Sequence, residues 1–227
     1  MSNPNQIFGF HIVTIAALTI SMWTTQAQNL LVNLGFEDPL LPNPGVDQGW
    51  ATFGTAARTG PGPEPLIAHS GDYSLLAQNA PGNNWNPVGV YQIISGAMPG
   101  TMYEFECWYL TDTGATISSY VPPVALEIEF LNSGMDSLGT YGGFNYAIPS
   151  NDTWYQGMVM GMAPTGSVYI EVLAMFMDNG QTTTEHVYFD DASIPMIPEP
   201  SSLALAGVGL GFVFGFSRCR KNLFKSY

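Results

Sequence analysis

The stretch Met102-Tyr103-Glu104-Phe105-Glu106-Cys107-Trp108-Tyr109-Leu110 alternates Tyr103, Phe105, Cys107 and Tyr109 with Glu104, Glu106 and Trp108. A repeat of two is the period of a β-strand, whose successive side chains point to opposite faces. One apolar face and one acidic face mark a half-buried antiparallel strand. The same pattern recurs in 124–131, where Val124, Leu126, Ile128 and Phe130 stand against Glu127 and Glu129. It recurs again in 168–176, where Val168, Ile170, Val172, Ala174 and Phe176 stand against Tyr169 and Glu171. Working outward, 30–36, 74–78, 88–94, 154–162 and 187–194 read as further strands. Gly, Pro, Asn, Asp and Ser punctuate the links, and no amphipathic helix pattern interrupts them. Many short strands with turn-rich connections predict an all-β fold, an antiparallel β-sandwich of the jelly-roll kind. No internal repeat divides it, so 28–195 reads as one domain.

The charge distribution excludes whole classes of partner. The chain has 227 residues and a formal net charge of −13. Four of its five basic residues, Arg218, Arg220, Lys221 and Lys225, stand at the extreme C-terminus. The predicted domain therefore holds one base, Arg58, and cannot neutralise a run of phosphates, which excludes nucleic acid. Neutral glycans, metal cations and basic partners stay open. The two cysteines, Cys107 and Cys219, are separated by the C-terminal apolar stretch, so no disulfide is expected, and Cys107 reads as a small core residue.

Both ends carry targeting features. Residues 7–23 are mostly apolar and are followed by Thr25-Gln26-Ala27. Small residues at the first and third of these positions suit signal peptidase, predicting a signal peptide over 1–27 with cleavage after Ala27. The first six residues lack Lys and Arg, and a buried first helix is the alternative. The other end reads Ile197-Pro198-Glu199-Pro200-Ser201-Ser202, then an apolar run over 203–216, then Ser217-Arg218-Cys219-Arg220-Lys221. The Pro198-Glu199-Pro200 motif, apolar transmembrane helix and basic end, over 196–227, closely resemble the PEP-CTERM sorting signal of Gram-negative bacteria. That resemblance implies export, passage through the membrane, and processing by an exosortase that removes the tail. A permanent anchor is the alternative.

Within the domain, several phrases occur in a telling order: Leu31-Val32-Asn33-Leu34-Gly35-Phe36-Glu37-Asp38, Gly49-Trp50, His69-Ser70-Gly71-Asp72-Tyr73, Tyr91-Gln92-Ile93, Pro99-Gly100-Thr101, and Val187-Tyr188-Phe189-Asp190-Asp191-Ala192. Together they resemble the galactose-binding-like jelly rolls, particularly carbohydrate-binding modules that open on an Asn-x-Gly-Phe-Glu segment. Leu34 departs from the family, which has Gly or Pro there. The resemblance implies a structural Ca²⁺ held by Glu37, by oxygens near Ser70 and Asp72, and by Asp190 or Asp191. Calcium takes six to eight hard oxygens and accepts such a mixed set.

A sugar platform needs aromatic faces for the C–H side of the ring and amides or carboxylates for its hydroxyls. Trp85, in the polar loop Asn83-Asn84-Trp85-Asn86-Pro87, Trp108 beside Glu104 and Glu106, and Tyr91 with Gln92 are the candidates. Tyr120 and Tyr146 are lesser ones; Trp50 and Trp154 read as core. Enzymatic signatures are missing. His69 and His186 have no Cys or third His at zinc spacing, Ser70 lacks a nucleophile-elbow context, and Glu104 and Glu106 read as an ordinary solvent face. The expected function is an exported surface or matrix protein with a non-catalytic module for neutral polysaccharide in an exopolysaccharide matrix. A structural or adhesion protein without sugar binding is the alternative, and a polysaccharide-active enzyme the third class.

Overall fold

The computed structural model describes residues 29–42, 44–60, 67–78, 86–111, 123–146, 152–177 and 185–195. The signal peptide, Trp85, Tyr120 and the Pro198-Glu199-Pro200 motif lie outside these. The described residues form ten strands and no helix: β1 (Ala51–Phe53), β2 (Ala56–Thr59), β3 (Ser74–Gln78), β4 (Val88–Ser95), β5 (Met102–Leu110), β6 (Val124–Leu131), β7 (Ser137–Tyr146), β8 (Tyr155–Met162), β9 (Tyr169–Phe176) and β10 (His186–Ser193). They pair into two five-stranded antiparallel sheets, ordered β1-β4-β9-β6-β7 and β2-β3-β10-β5-β8. The all-β antiparallel sandwich is thus the one expected from the alternating runs.

The alternation explains the core. Val124, Leu126, Ile128 and Phe130 of β6 meet Ile170, Val172, Ala174 and Phe176 of β9 on the inner side of the first sheet, all fully buried. Tyr103, Phe105 and Cys107 of β5 and Val187 and Phe189 of β10 supply the facing layer. Trp50 is internal as expected; it packs on Phe36 at 5.3 Å between centroids and donates its indole N–H to the Asn33 carbonyl.

Besides the short strands β1 and β2, which lie outside the alternating runs, two segments depart from expectation. Residues 30–36 form turns rather than a strand, because Asn33 and Phe36 take positive φ values of 53° and 56°. The segment still closes the domain: Asn29 bridges Pro195, Leu30 N–H donates to the Ile194 carbonyl, and Ala192 N–H donates to the Leu34 carbonyl. The second departure is β7, whose Ser-Leu-Gly-Thr-Tyr-Gly-Gly pattern is not among the alternating runs. It is an edge strand, paired only with β6, and Tyr141 anchors it by packing against Phe130.

Gln92 corrects a site expectation. Val88, Val90, Gln92 and Ile94 share the inner face of β4, and Gln92 is 1 % exposed. Its amide accepts from Val32 N–H at 2.9 Å and donates to Val32 C=O at 3.0 Å, so it holds the opening segment and faces no ligand. Replacing it with Leu, of similar size, leaves two part-exposed backbone groups of Val32 without this partner, at about 1–2 kcal/mol each. Gln92→Leu is therefore expected to destabilise the fold by about 2–4 kcal/mol in urea unfolding; a change within 0.5 kcal/mol contradicts the clamp.

Candidate functional site

The acidic positions named from the sequence come together at one end of β10. The ladder to β5 runs Asp190 opposite Trp108, then Ser193 opposite Glu106, so β10 carries one extra residue. Such a bulge breaks the alternation. It sets Asp190 and Asp191 consecutively on the outer side, with Asp191 at φ 45°. The turn at 69–72 lies over them. Asp190 Oδ2 accepts the amides of His69 (2.7 Å) and Ser70 (3.1 Å), and its Oδ1 accepts the Asp191 amide at 2.7 Å. Asp191 accepts the Ser70 hydroxyl at 2.7 Å and pairs with His69 Nδ1 at 2.6 Å. Glu37 Oε1 accepts the amides of Asp72 (2.9 Å) and Tyr73 (3.1 Å). The turn can approach so closely because Gly71, at φ 64°, has no Cβ to strike the Glu37 carboxylate.

The neighbours of this seam fix its chemistry. Burial pushes the Asp190 carboxyl up to about 6, against the amide hydrogen bonds that favour its charged form. Arg58, the one base in the domain, is committed: its Nε donates to Phe36 C=O at 2.7 Å, its second nitrogen donates to Glu37 C=O, and its guanidinium lies 3.2 Å from the Tyr73 ring centroid. The His69 ring stacks on Trp108 at 4.0 Å and meets Trp154 edge-on at 5.6 Å. Trp154 is thus half-buried beside His69 rather than a core residue. Burial also pushes the Cys107 thiol far up, so it stays protonated and inert.

Gly35 stands against the seam. A Cβ there would lie 3.4 Å from Asp191 Oδ1, 3.5 Å from Asp190 Oδ1 and 3.8 Å from Glu37 Cγ. The donors at hand are hard oxygens, the chemistry calcium takes. Among the described residues no three Asp, Glu, His or Cys side chains form a metal-binding group. A cation here would therefore draw on backbone carbonyls as well as on Glu37 and the aspartates.

A second surface lies on the outer face of the first sheet. Register sets Glu127, Leu173, Tyr91 and Ala51 in one row across β6, β9, β4 and β1, and Glu129, Glu171 and Ile93 in the next. Phe53 stands one row beyond, 6.5 Å from Tyr91 between centroids. These outward side chains are half-buried, Ala51 fully so, and no Lys, Arg or His stands among them. Burial, then the charge of Glu129 and a hydrogen bond with it, pushes Glu171 up to about 7. Burial and Glu129 raise Glu127 as well.

The expected sugar contacts do not form one platform. Tyr91 is on the outer face of one sheet, Trp108 is on the outer face of the other with a ring face covered by His69, and Gln92 is internal. Tyr146 packs on Tyr109 and donates its hydroxyl to Met158 C=O. The sequence reading missed Phe53, Leu173 and the Glu129–Glu171 pair; the alternation of β6 and β9 already set both glutamates outward, but their adjacency needed the strand order.

The model of the PEP-CTERM protein-sorting motif matches residues 197–221, the tail identified above. This signal indicates export to the cell envelope or surface of a Gram-negative bacterium and implies processing by an exosortase-type enzyme. No curated protein matches the chain. Among solved structures, a Stig cyclase, Fisc, from Fischerella sp. TAU aligns with TM-score 0.52 at 16% identity, over 74% of this chain and 96% of its own. The enzymatically active domain of bacteriophage CBA120 tailspike protein 4 aligns with TM-score 0.48 at 14% identity, and this chain spans 21% of its length. TmCBM61, solved with β-1,4-galactotriose, aligns with TM-score 0.44 at 13% identity over 98% of its length. The cyclase similarity supports the fold alone.

The glutamate face makes stability depend on pH. A carboxyl raised on folding from 4.5 to about 7 favours the protonated native state. Its contribution is full below 4.5 and is lost as pH rises through 7. Glu171→Gln keeps the neutral form at all pH. The variant is expected to gain in melting temperature over wild type at pH 8 and to match it at pH 4; an equal difference at both pH values contradicts the assignment.

Proposed function

We propose that this is an exported, exosortase-processed surface or matrix protein whose sandwich is a non-catalytic module for neutral glycan. The observation that carries the reading is the outer face of the first sheet. Tyr91, Phe53, Leu173 and Ile93 offer apolar surface to the C–H face of a sugar ring, beside carboxylates that accept its hydroxyls. Arg58 is committed to the opening segment and no Lys exists in the domain, so uronate or sulfate groups find no direct counter-charge.

The paired acids do not read as a glycosidase couple. Glu129 and Glu171 are hydrogen-bonded to each other, whereas a retaining pair stands about 5–5.5 Å apart with the scissile bond between. The structural or adhesion alternative is favoured by two observations: Trp108 spends a ring face on His69, and Trp50 is internal.

Calorimetry of the full chain against neutral β-glucans, mannans and xylans tests the reading. Weak binding, with Kd in the micromolar-to-millimolar range and insensitive to salt, is expected, because immobilising a flexible sugar offsets much of the contact energy. Tyr91→Ala is expected to weaken it at least tenfold, about 1.4 kcal/mol, while Trp108→Ala leaves it unchanged. The reverse pattern moves the site to the His69 face, and no heat with any glycan favours the matrix reading.

The seam is proposed to hold a structural Ca²⁺ through Glu37, one of Asp190 and Asp191, and carbonyls of the turn near Ser70 and Asp72. Bound calcium would neutralise carboxylates that crowd one another. A ligand of the folded state alone adds about 2.7 kcal/mol at a hundredfold excess over Kd. EDTA is expected to lower the wild-type melting temperature. Glu37→Gln keeps an oxygen for the Asp72 and Tyr73 amides and removes the charge, so the variant should be insensitive to EDTA. Identical wild-type melting with and without EDTA excludes the metal.

A further inference from the structure

The outer face of the second sheet ends in a row of thioethers. Along β8, Gly157, Val159 and Gly161 turn inward, and Met158, Met160 and Met162 turn outward with exposures of 49 %, 47 % and 50 %. Across the ladder to β5, Met102 stands opposite Met162, Glu104 opposite Met160 and Glu106 opposite Met158. Met102 is itself 38 % exposed. β8 is the edge of its sheet; the Tyr141 and Tyr146 hydroxyls of β7 bond its backbone at Met162 and Met158, and the methionine side chains stay about half exposed.

The packing of β8 does not call for these methionines. Its inner contacts are complete without them: a Cβ at Gly157 would already strike Leu126, and one at Gly161 would strike Tyr141. Solvent-facing strand positions are ordinarily polar or β-branched, and a water-facing row of unbranched apolar side chains contributes little to the fold. What methionine alone brings is sulfur. The thioether is neutral, polarizable and soft, and soft sulfur ligands select Cu(I) over Ca²⁺ and Mg²⁺, which take hard oxygens.

The register allows convergence. Side chains directly opposite across an antiparallel pair have Cβ atoms about 4.5–5.5 Å apart. Residues two apart on one strand are separated by about 6.8 Å. Methionine has three rotatable bonds, enough to draw the sulfurs of Met102, Met160 and Met162 onto one ion. Glu104 and Glu106 stand on the same face, and the sole base of the domain is bound elsewhere, so no positive charge opposes a cation.

We propose that Met102, Met160 and Met162 form a thioether site for a soft monovalent metal ion, Cu(I) or Ag(I). Because a thioether takes no proton in the physiological range, the three ligands stay available in acid, unlike those of a His or Cys site; only the flanking Glu104, raised by burial and by Glu106, and Glu106 itself add a pH-dependent attraction.

The full-length chain carrying Cys219→Ser, which removes the tail thiol, is titrated with Ag(I) by calorimetry and by the methyl resonances of ¹³C-labelled methionine. One ion per chain is expected, with shifts confined to Met102, Met160, Met162 and their neighbour Met158, and with binding retained at pH 5.5 as at pH 7.5. Met102→Leu/Met160→Leu/Met162→Leu, which preserves size and apolarity, is expected to lose at least a hundredfold in affinity. Met135→Leu, at an exposed methionine in the β6–β7 turn, is expected to lose nothing. Met160→Leu alone, with the circular-dichroism melt unchanged, separates loss of a ligand from loss of fold. Silver uptake that survives the triple substitution overturns the proposal, as does binding abolished at pH 5.5. Concentration-dependent dimerisation without silver uptake, relieved by the same substitutions, also overturns it and makes the row a contact between copies.

Discussion

Three carboxylates, those of Glu37, Asp190 and Asp191, accept the N–H and O–H groups of one turn at 69–73, and the closure of the sandwich depends on that seam. The acids belong to the first and last described segments, and the turn leads into β3. Buried or half-buried carboxylates far from any free cation cost free energy unless donors meet them. Here the donors are backbone amides, which the turn would otherwise leave unpaired. The arrangement satisfies both parties at once and holds β3, β10 and the opening segment in register. Gln92 makes the equivalent connection to the other sheet by engaging both polar groups of Val32.

The scarcity of basic residues shapes everything outside the seam. Arg58 serves the fold by pinning the Phe36 and Glu37 carbonyls over Tyr73. The outer faces are left with acids, aromatics and thioethers. On one face, Glu129 and Glu171 are neighbours in register with no positive partner, and burial and the charge of Glu129 push Glu171 up to about 7. On the other, His69 is held between Asp191 and Trp108, which fixes its ring. A surface so composed suits neutral or cationic ligands and repels polyanions.

Much of this was legible from particular residues. The alternation in 102–110, 124–131 and 168–176 became β5, β6 and β9, because period two with one apolar face has no other way to bury itself. The order of the Phe-Glu, His-Ser-Gly and Phe-Asp-Asp phrases pointed to acids that do meet at one end of β10. β7 was not legible: Gly139, Gly142 and Gly143 read as turn residues, and only pairing with β6 and the Tyr141–Phe130 contact make a strand of them. Tyr91 and Gln92 were read as a pair, although adjacent residues on a strand face opposite ways. The pattern Val88, Val90, Gln92, Ile94 carried that information.

The sequence by itself determined the β class, the inward and outward sides of the long strands, the acidic character of the domain and the sorting signal at 197–221. These are properties of local period, charge and motif, and need no knowledge of which strand lies beside which. The tertiary structure alone decided which outward residues become neighbours. Glu129 beside Glu171, His69 between Asp191 and Trp108, and Met102 opposite Met162 are each set by strand order and register between segments many residues apart. A bulge of one residue at Asp190 and Asp191 then decided that both aspartates face the turn, a break in alternation that period two does not announce.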